Sequence, residues 1–253
     1  MRKKASALDG KRQILYARIR KKHGRRMRVQ LLERQPQESD RSYALRIIKH
    51  NIINLDLPPG GLISENELAA RMGLSRTPVR EALIELSRIR IVKIVPQKRS
   101  SVAFVDYDMI DQASFMRSVL ECAVAELACG LATPEDLARL EENVRLQNFY
   151  LESSDSEMLM ELDNQFHEIL FEIARKSQVY FMVQTLFVHF DRVRRMALDS
   201  VKDLKIVQDH TQILAALRDR DAARARQLME AHLNRYRRDA QQIREKYPQY
   251  MGK

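Results

Sequence analysis

The stretch Ser64-Glu65-Asn66-Glu67-Leu68-Ala69-Ala70-Arg71-Met72-Gly73-Leu74-Ser75-Arg76-Thr77-Pro78-Val79-Arg80-Glu81-Ala82-Leu83 decides the fold. Ser64 and Glu67 stand three apart, the spacing of a capping box: the hydroxyl accepts from the Glu67 amide and the carboxylate reaches back. Leu68, Ala69 and Met72 then form the apolar stripe of a short helix, and Gly73 is placed to end it with a positive φ. After the turn Leu74-Ser75-Arg76, Thr77 is expected to cap a second helix with Pro78 at its first position, where the missing N–H costs nothing. Val79, Ala82, Leu83 and Leu86 form its buried stripe. Two short helices around a tight turn make a helix-turn-helix.

The surroundings complete the unit. Upstream, Tyr43, Ala44, Ile47, Ile48, Asn51 and Ile52 share one helical face, and Pro58-Pro59-Gly60-Gly61 closes the connection behind them. Downstream, the β-rich runs Ile91–Val95 and Ser101–Val105 flank Pro96-Gln97-Lys98-Arg99-Ser100, a hairpin with a basic tip. Residues 41–105 therefore read as a winged helix-turn-helix. The second helix of such a unit enters the DNA major groove with its amino-terminal residues. Arg76 and Arg80 project there, where a guanidinium can bond guanine O6 and N7 together. Thr77 and nearby amides can hold a phosphate at the helix start, and Lys98 and Arg99 would meet backbone or minor groove.

These residues carry a resemblance. Pro58-Pro59-Gly60, Ser64-Glu65 with Glu67-Leu68-Ala69, and Leu74 through Leu83 are similar to the GntR family of bacterial transcription regulators over about residues 41–105. The resemblance implies DNA contact by Arg76, Thr77 and Arg80, with Asn66 at a position that approaches phosphate or base. Two residues depart from the family pattern: Arg90 stands where a glycine is usual after the recognition helix, and Ser100 sits near the usual wing glycine. Both put the course of the wing in question.

Charge divides the chain. Its 253 residues carry a net +10, distributed as +9 over residues 1–40, +6 over 41–105 and −5 over 106–253. A basic front on a mildly acidic back suggests that only one part meets a polyanion. Residues 1–40 read as a disordered basic tail, either a phosphate-grasping arm or a solvated extension. Seven glycines, none spaced as GxG, leave no dinucleotide fingerprint or phosphate-cradling loop. No uncharged apolar run reaches the roughly 18 residues of a membrane span, and the amino terminus lacks a signal-peptide core. A cytoplasmic protein is expected. Cys122 and Cys129 lie about 10.5 Å apart along a helix at ~1.5 Å per residue, too far to pair, and read as small half-buried residues.

Residues 106–253 hold almost no strand signal and read as an all-helical bundle, with helices near 108–131, 134–152, 156–175, 178–198, 201–218 and 221–245. The fold class is thus mainly α, a winged helix-turn-helix followed by a helical bundle. Four of the six histidines lie in that bundle. Asp163 and His167 stand four apart on one helix face, and His210 and His232 sit beside apolar stripes on the last two helices. Three neutral imidazoles and a carboxylate would suit a first-row divalent ion such as zinc or nickel. Spacing alone leaves the plainer alternative, a helix-surface Asp–His pair. His189, among apolar residues, reads as a pocket or core residue.

The pattern Asp163-x-x-x-His167 with Phe166, His210-x-x-Ile213 and Met229-x-x-His232-Leu233 resembles the FCD ligand-binding domain of the FadR subfamily. That resemblance implies that Asp163, His167, His210 and His232 bind a metal whose coordination a small organic acid completes. It also places Arg117 where an arginine faces the effector cavity; the alternative is an ion pair with Glu121. Arg192, Arg194 and Arg195 include at least one further candidate contact; the alternative is a solvated charged face.

The function that follows is a transcriptional regulator. A homodimer would present two winged helices to a pseudo-palindromic double-stranded operator, and a small carboxylate in the bundle would change operator affinity. Two rivals remain. A metal-dependent hydrolase would use the same ligands, but Glu168 beside His167 projects about 100° away from it. A sequence-indifferent nucleoid-type binder would lean on the basic tail and leave the histidines unexplained.

Overall fold

The computed structural model describes residues 29–95, 99–153, 155–200 and 205–252. Helix α1 (Asp40–Ile53) starts at Ser39, whose hydroxyl accepts from the Ser42 amide, and buries Tyr43, Ala44, Ile47, Ile48, Asn51 and Ile52. Strand β1 (Leu62–Ile63), α2 (Glu65–Met72), α3 (Arg76–Arg88), β2 (Val92–Lys93) and β3 (Ser100–Val102) follow. The three strands form one antiparallel sheet in the order β1-β3-β2, with Leu62 opposite Ser101 and Val92 opposite Val102. The wing is thus shorter than the two apolar runs suggest, and it gains a third strand. Two residues are too few to show a period-2 pattern, which is why β1 escapes a sequence reading.

Local chemistry explains the turns. Gly60 adopts φ 78°, the left-handed region that favours glycine, and a Cβ there would also displace the exposed Phe104 ring 2.8 Å away. Gly73 adopts φ 66° and ends α2, with the Leu74 amide donating to the Ala69 carbonyl. Ser64 accepts from the Glu67 amide at 3.4 Å, but the Glu67 carboxylate turns to Arg71 Nε, 3.6 Å away. Helix α3 begins one residue before Thr77, with Ser75 at its cap. Pro78 therefore sits third in the helix rather than first, which costs nothing because the first four amides have no partner in the helix.

Residues 29–39 depart from the disorder expected of a tail. Gln30 exchanges two hydrogen bonds with the buried Asn51 side chain, at 2.7 and 2.9 Å. Tyr43 Oη donates to Leu32 O, Arg46 donates to Glu33 O, and Val29 and Leu32 pack on the domain core. The buried amide of Asn51 needs partners, and the incoming chain supplies them. The arm expected over residues 1–28 lies outside the described residues.

The helical part comprises α4 (Tyr107–Leu131), α5 (Pro134–Glu152), α6 (Ser156–Ile173), α7 (Ser177–Ser200), α8 (Ile206–Arg218), α9 (Ala222–Leu233) and α10 (Arg235–Lys246). Thr133 and Asp136 cap α5 reciprocally, with Pro134 in the first turn. The single helix expected over 221–245 is broken at Asn234, which ends α9 and opens α10. Cys122 and Cys129 are fully buried and unpaired. Phe166, Leu170, Phe171, Ile213, Leu217 and Met229 centre the main core, while Phe190, Val193, Met196, Tyr236 and Ile243 join α7 to α10 in a second cluster. Val188 of α7 belongs instead to the core of the winged helix. Among the described residues no helix is long and apolar enough to cross a membrane.

Candidate nucleic-acid interface and metal centre

Helix α3 buries Pro78, Val79, Ala82, Leu83 and Leu86, which turns Arg76, Thr77 and Arg80 outward. Arg76 and Arg80 lie four apart on that exposed face, and Arg76 meets Glu65 Oε2 at 3.6 Å. Asn66, second in α2, is exposed, as is Arg99 just before β3. Lys98 lies outside the described residues. Of the two departures, Arg90 adopts φ 60°, the left-handed conformation a glycine would take. Its amide donates to Ser87 O and the Ile91 amide to Leu86 O, which closes α3 in a Schellman turn. Ser100 pairs regularly with Ile63 in the sheet. Neither residue diverts the wing strands.

The second cluster lies in the helical bundle. Asp163 and His167 come from α6, His210 from α8 and His232 from α9; all four are buried, and one donor atom from each lies within 4.8 Å of the others. Burial pushes the His210 imidazole well below its usual range, reinforced by the neighbouring His232 and His167. It takes His232 down to about 4. Both rings are therefore neutral near pH 7 and carry a lone pair, the form a metal ion needs. Phe166 stacks on His210 with ring centres 4.0 Å apart.

Each imidazole is held from behind. His167 Nδ1 lies 2.6 Å from Glu121 Oε2, His210 Nδ1 2.8 Å from Gln147 Oε1, and His232 Nδ1 3.4 Å from Asp209 Oδ2. An oxygen on Nδ1 places the proton there and leaves Nε2 as the donor. The three Nε2 atoms face inward: those of His167 and His232 are 3.3 Å apart, and that of His210 is 3.6 Å from Asp163 Oδ1. His210 Nε2 is buried without a hydrogen-bond partner among the described residues, while the Asp163 carboxylate is held by Arg194 of α7. Inward-facing Nε2 atoms backed by oxygens, beside a carboxylate, fit a divalent ion.

Arg117 answers the choice left open above: it forms a bidentate pair with Glu121 at 2.5 and 3.2 Å, its guanidinium lying 4.9 Å from the Phe190 ring centre. Burial alone would raise the Glu121 carboxyl, but Arg117 and His167 hold it well below the usual carboxylate range. Arg117 thus steadies His167 through Glu121. Arg194 of α7 pairs with Asp163 and also meets Asn164 Oδ1 and Asp191 Oδ1 at 2.9 Å. A narrow space of about 10 Å³, room for roughly one water, reaches Asp163 between Gln147, Leu151, Leu159, Leu198, Ile206 and Val207. Arg117 is not among its lining residues. His189 is buried and bonded to the Ile89 carbonyl, and Glu168 is exposed.

Glu121, Gln147, Asp209 and Arg194 are the residues in contact with the cluster that the sequence does not mark as its neighbours. Glu121 and Arg194 enter the sequence reading only as an ion-pair partner and as one of three arginines. Gln147 carries no local signal, because its helix meets α8 only in the folded chain.

A winged helix with an exposed arginine face, joined to a helical domain with a buried ligand cluster, is the architecture of a DNA-binding regulator. Comparison with known proteins agrees. Residues 43–102 match the bacterial regulatory proteins of the gntR family and residues 112–235 match the FCD domain. The transcriptional repressor RspR of Escherichia coli is 33% identical over 201 residues, which are 79% of this chain and 88% of that protein. A transcriptional regulator from an unstable DNA locus of Streptomyces ambofaciens is 33% identical over 80% of this chain and 85% of its own length. The solved structure of E. coli McbR/YncC shares the fold, with a TM-score of 0.72 at 23% identity over 83% of this chain and 100% of that one. The chain belongs to the GntR family of transcriptional regulators and carries an FCD domain.

Proposed function

We propose that this regulator binds a pseudo-palindromic operator as a homodimer and that its operator affinity responds to a small carboxylate held at a divalent metal centre. The observation that carries this reading is the convergence of three Nε2 atoms and the Asp163 carboxylate, with an oxygen behind every imidazole. Asp163, His167, His210 and His232 would hold the ion. When bound, the ion supplies an electrophilic position that a carboxylate can occupy. The apolar residues Leu151, Leu159, Leu198, Ile206 and Val207 border the approach to Asp163 and would have to part to admit an aliphatic portion of such an acid. Arg194 does not line that approach, but its guanidinium lies beside Asp163 and would be released toward an acid if Asp163 turned to the ion.

The homodimer reading rests on exposed apolar side chains of two neighbouring helices: Phe115 and Val119 on α4, and Phe181, Met182 and Leu186 on α7. Such surface is costly to leave in water. Arg76, Thr77, Arg80, Asn66 and the wing residues Lys98 and Arg99 would contact the operator.

Thermal unfolding against a panel of mono- and dicarboxylates, with zinc or with chelator, tests the effector reading. An acid at 100 times its dissociation constant stabilises by about 2.7 kcal/mol. A stabilising acid that loses its effect with chelator supports the metal-anchored site. Stabilisation that survives chelation moves the anchor to Arg194, and a protein that takes up no zinc or nickel refutes the centre.

A further inference from the structure

Helix α7 touches both halves of the molecule within seven residues. Val188 is fully buried in the core of the winged helix, beside the hydrophobic residues of α1 and α3. His189 Nε2 lies 2.6 Å from the carbonyl oxygen of Ile89, the residue that ends the recognition helix α3. A carbonyl only accepts, so the ring is the Nε2–H tautomer. Arg192 Nη2 donates to the carbonyl of Ala103, one residue beyond β3, at 2.9 Å. On the same helix, Asp191 and Arg194 bind one another, and Arg194 pairs with Asp163. Asp191 also interacts with Lys49 of α1.

Arg192 is the residue that packing alone does not explain. It is 1% exposed, yet its Nε and Nη1 find no partner among the described residues. A buried charge with unpaired donors is destabilising, and such groups in folded proteins call for a reason beyond stability. Its one hydrogen bond holds the wing's exit, as that of His189 holds the end of α3.

We infer that His189 and Arg192 are positioning residues: they fasten the recognition helix and the wing to α7, so that a change at Asp163 and Arg194 resets the DNA-reading elements as α7 moves. The input rests on the metal reading above; the output rests on the two main-chain contacts. Any ligand that takes the Asp163 carboxylate competes with Arg194 for it. The shift is relayed along a rigid helix to Ile89 and Ala103, the far ends of the two elements that face DNA.

The test compares the full-length protein with its Arg192→Met and Arg192→Lys variants. Each is titrated with a duplex recovered by selection with the unaltered protein, in zinc and in chelator, while bound zinc is counted. The unaltered protein should change operator affinity about fivefold or more between the two conditions, within the usual range of allosteric coupling. Arg192→Met should bind zinc at the same stoichiometry and melt no lower, yet change less than twofold; Arg192→Lys should recover part of the response. A merely structural arginine would instead lower the melting temperature and leave the ratio alone. An unaltered response in Arg192→Met, or no response in the unaltered protein with zinc bound, overturns the inference. If no zinc binds, the metal reading fails separately, and Asp163→Asn becomes the input: it should change operator affinity in the unaltered background and not with Arg192→Met. Equal changes in both backgrounds overturn the coupling.

Discussion

Arg194 of α7 and Asp163 of α6 form a buried ion pair, and Asp163 is at the same time the only carboxylate of the four-residue cluster. Burial drives the Arg194 guanidinium well below its usual range, with the nearby Arg117 adding to the effect. The guanidinium charge therefore costs free energy that the paired Asp163 carboxylate offsets. Arg194→Met frees the carboxylate from its competitor, so zinc affinity should rise; isothermal titration showing a loss of affinity would mean that Arg194 orients Asp163 rather than competing for it.

The oxygens behind the imidazoles should matter almost as much as the ligands. Gln147→Leu removes the acceptor that fixes the His210 tautomer while keeping the side chain's bulk. Metal affinity should fall about 10- to 100-fold. Competition against a chromophoric chelator reads this directly, and an unchanged constant would show that the Gln147 bond does not hold His210 for a metal.

At the DNA face, Arg80→Ala should cost about 1–3 kcal/mol of operator binding and relax specificity at one base position. Binding of unrelated DNA should weaken far less. Equal losses on operator and random duplex would reassign Arg80 to a phosphate contact.

Arg90 holds a left-handed conformation at the end of α3. That conformation costs a non-glycine residue roughly 1–2 kcal/mol, partly offset in glycine by its greater freedom when unfolded. Arg90→Gly should raise stability by about 0.5 kcal/mol in urea denaturation. Gly73→Ala, with open space around the new methyl, should lower it by about 1 kcal/mol from backbone strain alone.

Stability of the metal-free protein should fall in mild acid. His232 is depressed from 6.5 to about 4 and His210 also lies well below 6.5. Burial lowers His189 and His50 as well. Below pH 6.5 the unfolded chain therefore takes up protons at four imidazoles that the folded one resists, and stability drops with falling pH. Asp191 opposes this, because burial raises its carboxyl to about 6, and the raised Glu168 and Asp239 act in the same sense. Between pH 6.5 and 5 the four histidines outweigh Asp191, so the net sign is negative. A melting temperature that stays flat or rises from pH 6.5 to 5 would contradict buried neutral histidines.

The winged helix was largely legible in the sequence because its signals are local. The helix stop at Gly73, the stripe Val79, Ala82, Leu83 and Leu86, and the exposed face Arg76–Arg80 each need only the period of one helix and the chemistry of one turn. The start of α3 slipped because Ser75 and Thr77 are both good caps, and only the formed helix chooses between them. The four cluster residues were found by their types and a resemblance, not by distance. Asp163–His167 is the one pair that helix geometry alone brings together.

What the sequence by itself determined is the order of helices, the basic and acidic halves, and the side chains able to read DNA or bind an ion. Tertiary structure alone decided that His210 and His232 meet Asp163 and His167, and that Glu121, Gln147 and Asp209 stand behind the rings. It alone carried His189 and Arg192 across to Ile89 and Ala103, contacts that span 100 and 89 residues of chain. The physical reason is that helical periodicity specifies which face is buried but not which helix it is buried against. That choice is made by packing among distant segments, and the buried polar network exists only once packing has excluded water from it.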